Sequence, residues 1–75
     1  MAALLYKDFF IIAMGRFDQQ KELCMPVANI GWHSASGHEF HTVRDSVHCF
    51  RTREEANAFA VEAAKAWVDA RVRAA

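Results

Sequence analysis

Two periodicities divide the chain. Up to about residue 50, apolar side chains come in short runs and alternations, whereas beyond Thr52 they recur every three or four residues. The first pattern predicts strands at about 6–17, 23–34 and 38–44, with a brief fourth at about 47–50. The second predicts one helix over about 53–72. Strands first and a helix last make a single α+β domain spanning 1–75, an antiparallel sheet of three to four strands with a long C-terminal helix packed on one face (β-β-β-β-α).

The helix has well-marked ends. Thr52 and Glu55 stand at capping-box spacing, so the Thr52 hydroxyl is expected to accept from the Glu55 N–H while the Glu55 carboxylate returns to the Thr52 N–H. Glu54 and Glu55 in the first turn and Arg71 and Arg73 in the last complement the helix dipole. Between them seven alanines favour helix, with no Gly or Pro to interrupt it. At about 100° per residue, Ala56, Phe59, Ala60, Ala63, Trp67 and Ala70 share an arc expected to meet the sheet. A second stripe, Val61, Ala64, Val68 and Val72, lies roughly a third of a turn away and is surplus to one sheet face. Asp69 precedes Arg73 by four residues, the order for a weak exposed pair.

The strands carry a surplus of their own. In Phe9-Phe10-Ile11-Ile12-Ala13-Met14 alternate side chains point to opposite faces, and both faces are apolar. One helix covers one face, so the other calls for a second chain. Residues 18–22 form a polar connection. Pro26 cannot donate to a ladder, which places it on an edge or at a bulge. Ser34-Ala35-Ser36-Gly37 reads as a hairpin turn with Gly37 free to take positive φ. With Ser36-Gly37 as the loop, Ile30, Trp32, His41 and Val43 share one face, and Gly31, His33, Phe40 and Thr42 the other.

Composition sharpens the expectation of a partner. A 75-residue chain buries only about 60 to 65% of the surface its unfolded form exposes, yet 53% of these residues are apolar, six of them Phe and two Trp. Nine basic residues balance nine acidic ones, so no net charge keeps copies apart. A homodimer follows, with Phe9, Ile11, Val61, Val68 and Val72 as its expected contacts. The two cysteines, Cys24 and Cys49, lack C-x-x-C spacing and are expected to be buried thiols in a reducing cytoplasm. No basic region precedes an apolar core at the N-terminus, and no apolar run approaches the roughly 20 residues that cross a bilayer, so neither a signal peptide nor a membrane partner is expected.

Chemistry is sparse. His33, His38, His41 and His48 crowd one region, but His38 and His41 are three apart on a strand and point opposite ways, and no zinc spacing is present. His48 and Cys49, as strand neighbours, also diverge. Asp45 and Ser46 beside a histidine lack a specific arrangement, and the three glycines are too scattered for a phosphate loop. No catalysis, cofactor or metal is expected.

Arg16, Trp32, Phe40, Arg44 and Arg51 offer the alternative of a stacking platform with positive flanks for single-stranded nucleic acid, against which the neutral net charge counts. The β4-α order resembles that of the single-strand-binding transcriptional coactivators, in element order alone. Phe50-Arg51-Thr52-Arg53-Glu54-Glu55-Ala56, followed by Trp67-Val68-Asp69, resembles the ending of small bacterial proteins with an F-x-T-x-E-E-A helix start and a W-[IV]-D near the helix end. That resemblance covers about 20 residues and implies no activity. The functional expectation is a small interaction or regulatory module acting through self-association.

Overall fold

Residues 2–74 are described by a computed structural model. Four strands, β1 (Ala2–Tyr6), β2 (Phe9–Asp18), β3 (Leu23–Ser34) and β4 (Gly37–Arg44), precede one helix, α1 (Arg53–Ala74). The strands form an antiparallel meander in the order β1-β2-β3-β4. The α+β class and the single terminal helix are those expected; two of the strand positions are not.

The expected first strand is in fact the end of β1, a turn and β2. Tyr6 closes β1, and Lys7 and Asp8 form a two-residue turn with φ of 49° and 68°. Positive φ at both central positions suits the right-handed twist of a hairpin, but Asn-Gly or Asp-Gly usually supplies it. Lys7-Asp8 carries no such signal. Tertiary contacts hold it instead: the Lys7 ammonium lies 2.7 Å from the Asp69 carboxylate, to which the Tyr6 hydroxyl also donates at 2.9 Å. These partners hold Asp69 below the ordinary carboxylate range, Lys7 foremost, and Asp69 in turn raises Lys7. Asp69 therefore pairs across the fold rather than with Arg73.

The expected strand at 47–50 is absent as a strand. The Asp45 carboxylate accepts from the Val47 and His48 N–H groups at 2.8 and 3.0 Å, turning the backbone and using donors that a ladder would need. Only a bridge between Cys24 and Phe50 remains. Pro26 lies just beyond the end of β4, so its missing N–H faces no partner strand, while its carbonyl accepts from the Asp45 N–H at 3.1 Å. The β3–β4 loop is Ala35-Ser36 rather than Ser36-Gly37, with Gly37 at φ 118°. This moves every β3–β4 pairing by two residues yet leaves each side chain on its expected face, because strand faces repeat every second residue.

The seam between helix and sheet is made of small side chains. Ala56, Ala60, Ala64 and Val68, four residues apart, are buried, the last three against Ile11, Ala13, Ala28 and Ile30 and Ala56 beside Gly15. This row runs between the two expected stripes, so Phe59 and Trp67 flank it on one side and Val61 on the other. Full burial of Ile11, Ile30 and Val68 contributes about 1.5–3 kcal/mol each. Thr52 caps the helix with its hydroxyl accepting from the Glu55 N–H at 3.2 Å; the Glu55 carboxylate accepts from that hydroxyl rather than from the Thr52 N–H.

Aromatic rings close the far end. The Trp67 ring stacks on His41 at 4.5 Å and packs with Trp32 at 5.5 Å and Phe9 at 6.3 Å, while the Arg71 guanidinium sits 4.6 Å over Trp32. The Trp32 indole N–H donates to Glu39 at 3.1 Å.

Candidate functional site

Among the described residues nothing covers the sheet face away from the helix. Leu5, Phe10, Gly31 and Phe40 stand opposite one another on successive strands and form a row across the whole sheet. Leu5 is 69%, Phe10 48% and Phe40 75% exposed, so about half or more of each residue meets water. The Phe40 ring lies over Gly31, where an added Cβ would come within 3.0 Å of it. An aromatic ring thus shields the backbone that glycine leaves bare. The row floors a groove of about 350 Å³ whose ends carry Asp8 and the pair His33 and His38, with ring centroids 4.1 Å apart.

The next rows become polar toward the other end. Ala3, Ile12, Asn29 and Thr42 make one, in which the Thr42 hydroxyl donates to Asn29 at 2.8 Å. Met14, Val27 and Arg44 make the next, and Arg16 pairs with Met25 beyond it. The face therefore grades from an apolar end to a basic one.

Ile11 and Val68 are fully buried, and Phe9 and Val61 are half-buried against the same core. Ile11 and Val68 therefore present no surface to a second copy, Phe9 and Val61 keep only part of theirs beside the helix, and Val72 alone of the five is exposed. The physical reason is parity: the helix sits on the odd positions of β2, leaving Phe10, Ile12 and Met14 outside. A signal for this existed. Odd positions run on to Ala13 and Gly15, small enough to meet an alanine-lined helix, whereas even positions do not.

Of the five expected nucleic-acid contacts, Arg16, Phe40 and Arg44 share the open face. Trp32 lies on the opposite side, locked against Trp67 and Arg71, and Arg51 is exposed in the segment after β4. Leu5, Phe10 and Met14 are the open-face residues that sequence reasoning passed over.

The titratable groups elsewhere serve the turns. His38 lies on the open face and His41 under Trp67, so the two diverge. Among the described residues no three His, Cys, Asp or Glu side chains converge as metal ligands. Cys24 is buried, and the Cys49 thiol is directed to the Ser46 carbonyl at 3.8 Å rather than to a ring nitrogen.

Asp45 meets His48 Nδ1 at 2.8 Å, and its carboxyl is held down to about 2, chiefly by the His48 N–H, then by the His48 ring and the Val47 N–H. A carboxyl depressed in the folded state adds stability above its unfolded value and loses it as pH falls through the folded one. Asp45→Asn should therefore melt below the parent at pH 7, and the gap should close as pH falls from about 4 to about 2. Thermal unfolding by circular dichroism across that window checks it; a gap constant with pH would remove the charge from the account.

No helix among the described residues is long and apolar enough to cross a membrane. The chain matches no family model, no curated protein and no solved structure.

Proposed function

We propose that this chain is a small interaction module that works as a pair of copies joined through the open faces of their sheets. The observation that carries this reading is the exposed row of Leu5, Phe10 and Phe40 on a sheet whose other face the helix already covers. The chain exposes 5300 Å², where a compact monomer of its mass exposes about 4,650 Å². The difference, about 650 Å², is surface beyond the average for its mass and goes with the elongated shape, 41 × 21 × 17 Å. Zero net charge leaves nothing to hold two such faces apart. A two-fold pair brings the same patch together from both sides, so one apolar face suffices.

Light scattering tests it. The parent is expected at twice 8.5 kDa and Phe40→Lys at the mass of one chain, with its circular dichroism unchanged because Phe40 is mostly exposed in the single chain. Val72→Lys, on the far side of the helix, should leave the pair intact. A parent that stays at the single-chain mass at every concentration, or a pair broken by Val72→Lys and not by Phe40→Lys, overturns the reading.

A second reading has one observation in its favour: Phe10 and Phe40 share a face with Arg16 and Arg44, the combination by which proteins stack bases and track a phosphate backbone. Binding of an oligonucleotide that weakens steeply with salt would favour it over pairing.

A further inference from the structure

At the basic end of the molecule the first turns of α1 close on β2, with the Gly15 N–H donating to the Asn57 side-chain carbonyl. Around this point runs a groove of about 770 Å³ that carries Arg16 from β2, Arg44 from β4 and Arg53 from the first turn of α1. Asn29, Thr42 and Asn57 add polar groups, and no carboxylate lines it.

We propose that this groove binds an oligophosphate, with Arg16, Arg44 and Arg53 as its ligands. Among the described residues none of the three guanidiniums makes a salt bridge or lies over a ring, whereas Arg71 lies over Trp32. The acids that could have neutralised them are turned elsewhere. Asp18 accepts from the Gln20 and Lys21 N–H groups, Asp45 from those of Val47 and His48, and Glu55 from the Thr52 hydroxyl. Arg53 also puts positive charge in the first turn of a helix, the end that favours anions. In a chain of zero net charge, three cations left together without a counter-charge are an anion site rather than an average surface. Arginine suits phosphate because its planar fork gives two parallel N–H bonds to two oxygens, and three arginines fit several linked phosphates better than one small anion.

The groove shares the open face with the proposed pairing of copies but does not need a second copy to form. Its test follows the amide signals of Gly15, Thr42 and Asn57 by nuclear magnetic resonance as inorganic tripolyphosphate is added to the full chain at low salt. Saturable shifts at those residues are expected, with Arg16→Gln/Arg44→Gln weakening binding about tenfold or more, since each lost charge-assisted contact removes roughly a factor of ten. Arg71→Gln serves as the control and should change nothing, because Arg71 is stacked at the other end. A parallel titration with a short oligothymidylate distinguishes the sources of phosphate: tighter binding of tripolyphosphate assigns a free oligophosphate, and tighter binding of the oligonucleotide assigns a nucleic-acid backbone. Absence of saturable shifts at low salt, or an equal loss in Arg71→Gln, overturns the site.

Discussion

Val68→Asp is expected to unfold the chain. Val68 is completely buried at the end of the alanine row and belongs to the cluster formed by Ile11, Ala13, Ala28 and Ile30. Replacing it forfeits about 1.5–2 kcal/mol of apolar burial and places a carboxyl among hydrocarbon groups. Whether that carboxyl protonates or drags water inward, the total comes to about 4 kcal/mol or more. A chain of this size has a margin of about 4–11 kcal/mol, so the variant is left marginal or unfolded. Urea titration followed by circular dichroism decides the matter. Had the valine stripe been an outer contact surface, the same change would leave folding untouched and alter only the mass in solution. A melting temperature within a few degrees of the parent would return Val68 to the surface.

The second large effect sets two glycines against each other. At Gly15 an added Cβ would stand 2.9 Å from the Ala56 Cβ and 3.2 Å from the Arg53 backbone, neither of which can swing aside. Gly15→Val must therefore lift the first turn of the helix off the sheet and strain the bond to Asn57, costing about 3 kcal/mol. At Gly31 the nearest atoms belong to the exposed Phe40 ring, at 3.0 and 3.2 Å, and that ring can rotate away. Gly31→Ala is expected within about 1 kcal/mol of the parent. Both sit inside strands and read alike in sequence. Equal losses for the two variants would mean that the close seam between helix and sheet is not what holds the N-terminal end of α1.

The difference between those glycines marks where sequence reasoning stops. Alternation in β2 established that both faces are apolar, and a single helix established that one must go uncovered, but neither said which. Phe9-Ile11 and Phe10-Ile12 are chemically equivalent choices. The decision comes from the matching of small residues, Ala13, Gly15 and Ala28 on the sheet with Ala56, Ala60 and Ala64 on the helix, which is a property of two elements together. The Lys7-Asp8 turn was hidden for a related reason. Its positive φ values suit neither residue unaided, and the contacts of Tyr6 and Lys7 with Asp69, more than 60 residues away, hold it.

The anion groove was legible only in fragments. Arg16 and Arg44 could be noted as strand arginines, whereas Arg53 could be read only as part of a helix start. No spacing relates the three; the pairing of β2, β3 and β4 and the seating of the first turn of α1 on Gly15 bring them together.

Taken by itself, the amino-acid sequence determined the class of the domain, the terminal helix and its cap, the faces of β3 and β4, and an excess of apolar surface over what one helix shelters. These follow from periodicity and local hydrogen-bonding chemistry, which act over a few residues. Only the tertiary structure decided that β1 exists, that residues 45–52 turn and keep a single bridge instead of forming a strand, and that the uncovered face carries Phe10 and Phe40 rather than Phe9 and Val68. Those outcomes depend on steric fit and on charge pairs between distant segments, and such terms have no value until the segments meet.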